Sequence, residues 1–174
     1  MTVLVSVKIN DGVVMAADSA SSFESGMVYR HADKIVNLRQ GLPIGAMVTG
    51  AGGIGNESID TLLKDLRRRF NGEDEARRDW ALDPARYTLA EVANRLRTFL
   101  FEEKTAAYAG EVWTRVRLCG YSGGPAACRG LGDSAAWVGL TSVHPGARRT
   151  GFRHPVGRGV RGAKSSDLWA WDRL

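Results

Sequence analysis

The apolar-rich run over residues 3–8 reads as a β-strand and returns in a second strand candidate over 13–17. Asp11-Gly12 between them is a strong hairpin signal. The pattern predicts an antiparallel pair with Thr2 at its open start and Asp18 at the far end of the return strand. Residues 19–26 are polar and turn-like, 27–29 and 34–38 are short strand candidates, and 44–49 read as a buried strand. Gly50, Gly52, Gly53 and Gly55 then make a glycine-rich bend, after which the period changes. Ile59, Leu62, Leu63, Leu66 and Phe70 recur at helical spacing, with Lys64, Arg67, Arg68 and Arg69 on the other faces. Residues 71–86 are charged, contain Pro84 and read as a connection. Thr88 opens a second helix through the capping box T-L-A-E, and Leu89, Val92, Leu96, Phe99 and Leu100 form its apolar stripe. Residues 112–121 alternate again as a strand. Strands, two helices and further strands predict an α+β sandwich with helices packed on a sheet. After Ser122 the periodicity fades and glycine is frequent. The chain thus divides into a core, 1–121, and a Gly/Arg-rich divergent tail of irregular character, 122–174.

A chain of 174 residues is one ordinary domain, and 44% hydrophobic with 25% charged residues is the balance of a soluble globular protein. No apolar run approaches the roughly 20 residues needed to span a bilayer. The start of the chain lacks the pattern of a secretory signal, so a cytoplasmic location is expected. Cys119 and Cys128 are too few for a disulfide framework or a structural zinc site and are expected as buried or free thiols. Residues 1–121 carry equal numbers of basic and acidic side chains, so the net charge of +5 comes from the tail. Its arginines are scattered among Gly and Ala rather than set along one helical face, which favours a solvated region over a nucleic-acid arm.

Thr2, Asp18 and Lys34 carry the candidate chemistry, each sixteen positions after the last. A hydroxyl is a weak nucleophile and needs a base beside it. If Met1 is removed, Thr2 carries both the hydroxyl and an α-amine that titrates near pH 8 and is partly neutral at working pH. The passage therefore suggests a self-contained threonine nucleophile.

These residues, embedded in MTVLVSVK, DGVVMAADS, ADKIVNL and VTGAGGIG, make the chain resemble the proteasome β-subunit and HslV-type family of N-terminal-nucleophile hydrolases. The resemblance is good over about residues 2–70 and looser over 88–121. It implies a four-layer α-β-β-α sandwich of the Ntn-hydrolase type, incomplete at the C-terminus of this chain, and subunits assembled into rings around a proteolytic chamber. It also implies that Thr2 is the nucleophile, that Lys34 is the cation beside it and that Asp18 pairs with Lys34. Gly50 resembles the family glycine whose N–H faces the developing oxyanion, where preorganised donors contribute several kcal/mol. The bland reading of Asp18 and Lys34 is a routine ion pair between strands, and that of Gly50 a bend leading into a helix.

There are departures from the family pattern. Ala20 stands where active β-subunits often carry Arg. The Ser and Asp that would hydrogen-bond the N-terminal amine have no recognisable motif in 122–174; Ser122, Ser165, Ser166 and Asp167 are present, but nothing in their context selects them. The resemblance stops near Gly124, where P-A-A-C-R-G-L-G-D replaces a strand continuation. One plausible coding of that stretch, shifted by one nucleotide, reads R-P-P-A-E-V-W-A, so a frameshift in the coding sequence is one explanation, and the nucleotide sequence decides it.

The remaining candidates are weaker. His31, His144 and His154 lack ligand spacing, so no metal is expected. G-A-G-G-I-G is not a phosphate loop, and no cofactor is expected. Trp113, Trp137, Trp169 and Trp171 read as core or collapsed tail, and Arg67-Arg68-Arg69 as a solvated helix face. The leading expectation is a threonine-type endopeptidase subunit. It would act on peptides or unfolded proteins, form rings with copies of itself or related subunits, and be served by an ATP-dependent unfoldase, without membrane or nucleic-acid partners. The alternative is a non-catalytic ring subunit or truncated pseudoenzyme of the same family.

Overall fold

Four antiparallel strands form the main sheet of this computed structural model, in the order β10-β9-β6-β5. They are β5 (Ile35–Asn37), β6 (Ile44–Gly50), β9 (Thr114–Tyr121) and β10 (Ala135–Ser142). The structure describes residues 2–9, 12–22, 25–106, 108, 112–123 and 135–142. The expectations placed on Met1, Asp11, Cys128, His144, His154, Ser165, Ser166, Asp167, Trp169 and Trp171 lie outside those residues.

Side-chain parity decides what each face of the sheet meets. Val36 and Leu38, Ile44 and Ala46, and Val116 and Leu118 all point into one apolar core. That core is closed by α1 (Ile59–Asn71) and α2 (Leu89–Thr98), through Leu62, Leu63, Leu66, Phe70, Val92 and Leu96, each fully buried. The opposite face carries Met47 and Cys119, also buried. Against it lies a separate two-stranded sheet, β1 (Leu4–Ile9) paired with β2 (Gly12–Ala17). The Met15 thioether fills the space over Gly45, Ser6 sits beside Cys119, and the Tyr121 hydroxyl abuts Gly12. Helices, sheet and hairpin thus make a mixed α+β arrangement of three layers among the described residues. Val3, Val5, Val7, Ile9 and Val14 point away from it on the outer side of the hairpin, each about half exposed.

Helix α1 starts and stops on local chemistry. Ser58 caps it by accepting the Thr61 N–H. Gly72, at φ 79°, ends it, while the Gly72 and Glu73 amides close back on the Arg69 and Arg68 carbonyls. Thr88 caps α2 by accepting the Glu91 N–H at 3.1 Å, as its sequence predicts. The Glu91 carboxylate, however, pairs with Arg95 at 2.6 Å instead of reaching back to the cap. A π-helical turn, Phe99–Lys104, continues α2.

Four stretches differ from the sequence expectation. The glycine-rich bend contains a miniature hairpin, β7 (Gly53–Ile54) with β8 (Glu57–Ser58). The charged connection holds a 3-10 segment, Glu75–Trp80, whose Trp80 is buried. The Arg69 guanidinium lies over both the Trp80 and Phe99 rings, at 5.0 and 4.7 Å, and pairs with Asp74 and Glu103. Its side chain is only 15% exposed, so Arg69 is a packed clasp rather than part of a solvated face. Lastly, Ala135–Ser142, within the stretch read as irregular, is a strand pairing along the whole of β9. Its A-A-W-V-G-L-T-S is rich enough in β-formers to serve as one. The polar segment 19–26 also contributes a short strand, β3 (Ser21–Ser22), paired with β4 (Val28–Tyr29).

Candidate active site

Strand register brings the first two candidate residues together. Leu4 faces Ala17 in the β1–β2 ladder, so the next position outward sets Val3 opposite Asp18 and leaves Thr2 one residue beyond. Asp18 grips Val3 from two sides. Its amide donates to the Val3 carbonyl at 3.1 Å, and its Oδ1 accepts the Val3 N–H at 2.7 Å. Its Oδ2 accepts the Ala20 N–H two residues on, an Asx-type turn. The start of β1 is therefore anchored to the end of β2 by more than the ladder itself.

Lys34, immediately before β5, supplies the third group. Its Nζ donates to Thr2 Oγ1 at 3.1 Å, to Asp18 Oδ1 and Oδ2 at 3.1 Å each, and to the Ala20 carbonyl. The Lys34 side chain is 8% exposed and that of Asp18 30%, so the pair is screened on one side and wet on the other. The Val3 N–H, then the Lys34 ammonium, hold the Asp18 carboxyl below its ordinary 3.8, against a smaller opposing effect of burial. A hydroxyl, an ammonium and a carboxylate meet in one cluster. Such a cluster can hold a threonine oxygen in place and stabilise negative charge developing on it.

Gly50 ends β6 at φ 105°, in the left-handed region. A Cβ there would lie 2.3 Å from the Trp113 carbonyl oxygen and 2.9 Å from its indole, so no side chain fits. The direction of its N–H follows from parity. Odd residues of β6 bond β9, as Ala51 N–H to the Trp113 carbonyl does, whereas the even Val48 donates to the Lys34 carbonyl at 3.0 Å. Gly50 has even parity, but β5 has ended at its level, and Ala32, which would face it, donates its own amide to Ser19. By this parity the Gly50 N–H is directed past the end of β5, on the flank where Lys34 starts.

Two residues join this cluster through their backbones, a role not expected from the sequence: Val3 as a donor to Asp18, and Ala20, read only as a missing arginine, as an acceptor from Lys34. The Asp-Ser-Ala turn is the one sequence signal that could have found the second. Ser122 lies elsewhere. Its Oγ accepts the Leu89 N–H at the start of α2, and the β6–β9 register puts it at the opposite end of the sheet from Gly50. Trp113, read from sequence as core or collapsed tail, is 48% exposed, and the Arg115 guanidinium lies 4.8 Å from its ring. A polar cleft of about 350 Å³ near Asp65, Arg69 and Lys104 shares no residue with the Thr2 cluster. No helix among the described residues is long and apolar enough to cross a membrane.

No protein-family model matches this chain, and no curated protein matches it in sequence.

Proposed function

We propose that this protein is a threonine-type endopeptidase of the N-terminal-nucleophile kind, resembling proteasome β-subunits and sharing their sandwich fold. The observation that carries the reading is the Lys34 ammonium at 3.1 Å from both Thr2 Oγ1 and the Asp18 carboxylate. The reading requires cleavage of the Met1–Thr2 bond, which turns the Thr2 nitrogen into an amine able to act as base.

The chemistry then proceeds in balanced steps. Thr2 Oγ1 attacks the peptide carbonyl while its proton passes to the Thr2 amine, directly or through one water. The carbonyl oxygen takes the negative charge toward the Gly50 N–H. Collapse expels the amine half of the peptide with that proton and leaves an ester on Thr2, which a water hydrolyses by the reverse sequence. Lys34 steadies the threonine oxygen, and Asp18 holds both Lys34 and the start of β1 in place. Peptides or unfolded proteins are the substrate class, ring assembly in the cytoplasm with an ATP-dependent unfoldase is the expected setting, and no cofactor is required.

Hydrolysis of fluorogenic peptides by the full chain tests this. The wild type is expected to cleave them and Thr2→Ala to abolish cleavage, whereas equal rates for the two proteins would refute the assignment. A non-catalytic ring subunit is the second reading, favoured by Ala20, which leaves the cluster without an arginine side chain. Retention of Met1 on the purified protein would support it.

A further inference from the structure

Trp113, Arg115 and Arg117 project from the same face of β9, the face turned toward the hairpin, since they share parity with Cys119. The hairpin runs along that face in step with β9. Gly12 meets Tyr121, and Ser6 and Met15 meet Cys119 and Gly45, so the hairpin advances from the Tyr121 end of β9 toward its Trp113 end. All three side chains remain exposed, Trp113 at 48%.

Neither arginine has a carboxylate partner among the described residues. Across β6 the register sets Met47 opposite Arg117 and Thr49 opposite Arg115. Across β10 it sets Gly139 and Thr141. The better-packed Arg69 and Lys104, by contrast, are paired, Arg69 with two carboxylates and Lys104 with Glu57. Two guanidiniums without a carboxylate partner among the described residues, one stacked on a half-exposed indole that walls Gly50, therefore leave a cationic strip ending beside Gly50.

We infer that Trp113, Arg115 and Arg117 select the substrate, favouring peptides with acidic side chains beside the bond to be cut. The inference rests on the peptidase reading for the identity of the ligand, and it concerns binding, which can be measured without turnover. Guanidiniums take carboxylates in a planar, two-pronged geometry, and the indole offers an apolar ledge for the adjoining methylenes.

Fluorescence anisotropy on the full-length Thr2→Ala protein separates the two ideas. The probe is a short labelled peptide carrying paired glutamates, compared with its Glu→Gln counterpart. The acidic peptide is expected to bind about fivefold tighter or more, the gap closing with added salt and in the Thr2→Ala, Arg115→Gln double variant. Equal affinities, or a preference that survives both salt and Arg115→Gln, would overturn the inference. So would displacement of the acidic peptide by a single-stranded oligonucleotide that binds more tightly through Arg115. The salt response of the Thr2→Ala protein keeps the test open should Arg115→Gln fail to fold. A binding preference in a protein whose wild-type form cuts neither peptide would sustain the strip and refute the peptidase.

Discussion

Lys34 has three ammonium protons and faces four oxygens, on Thr2, Asp18 and Ala20. Its removal leaves the Asp18 carboxylate without a cation and Thr2 Oγ1 without a donor. Lys34→Ala is therefore expected to lower peptide hydrolysis about 100-fold or more, read as kcat at saturating substrate. Asp18 supplies a pH test. Folding lowers its pKa below 3.8, so its stabilising contribution is fully present above that value and is lost as pH falls through the folded pKa. A carboxyl-carbon NMR titration should give an Asp18 midpoint below 3.8, with the Val3 amide shift moving in step; a midpoint above 3.8 would contradict the grip on Val3. Gly50→Ala forces a side chain into the left-handed region and against the Trp113 carbonyl. It should cost about 1–3 kcal/mol in urea unfolding. The hairpin pattern made the nearness of Thr2 and Asp18 legible in the sequence, because register alone sets Val3 opposite Asp18. The backbone contributions of Val3 and Ala20 were not legible, since they depend on how two turns aim peptide groups at side chains far along the chain.

At the scale of elements, periodicity and capping were the readable part. The apolar stripes of α1 and α2 are buried as their spacing predicts, and Thr88 caps α2. Thr88→Ala should cost about 1 kcal/mol. The half-exposed Glu91–Arg95 pair contributes little, and Glu91→Gln should stay within about 0.5 kcal/mol, both measured by chemical denaturation. Arg69 shows where local reading ends. Its position on α1 resembles those of its exposed neighbours, and its partners Trp80, Asp74 and Glu103 come from a segment read as a loop and from a turn after α2. Strand β10 was missed for a similar reason. Its pattern is weak alone, and pairing with β9 organises it.

At the scale of the molecule, among the described residues, the helices and the hairpin lie on opposite faces of the four-stranded sheet, and the candidate site lies where the hairpin opens. That placement explains why Thr2 reaches Lys34 although they lie on different sheets: Met15, Ser6 and Tyr121 hold the hairpin to the sheet by close packing. The mixed α+β class was legible from the order of periodicities. The order in which four strands would pair was not, because β6 and β9 are neighbours in the sheet but more than sixty residues apart in sequence. The proposed ring assembly makes a prediction at this scale. Sedimentation velocity of the full chain should show a closed oligomer, and a monomer at all concentrations would contradict the ring while leaving the chemistry of Thr2 open.

The central claim is that Thr2 acts with its hydroxyl and its own amine. The most direct measurement is intact mass spectrometry after treatment with a peptide epoxyketone, whose stable adduct requires both groups on one residue. The account predicts a chain lacking Met1 and heavier by one inhibitor, with fragmentation assigning the added mass to Thr2. An unmodified chain still beginning Met-Thr, or an adduct on another residue, would contradict it.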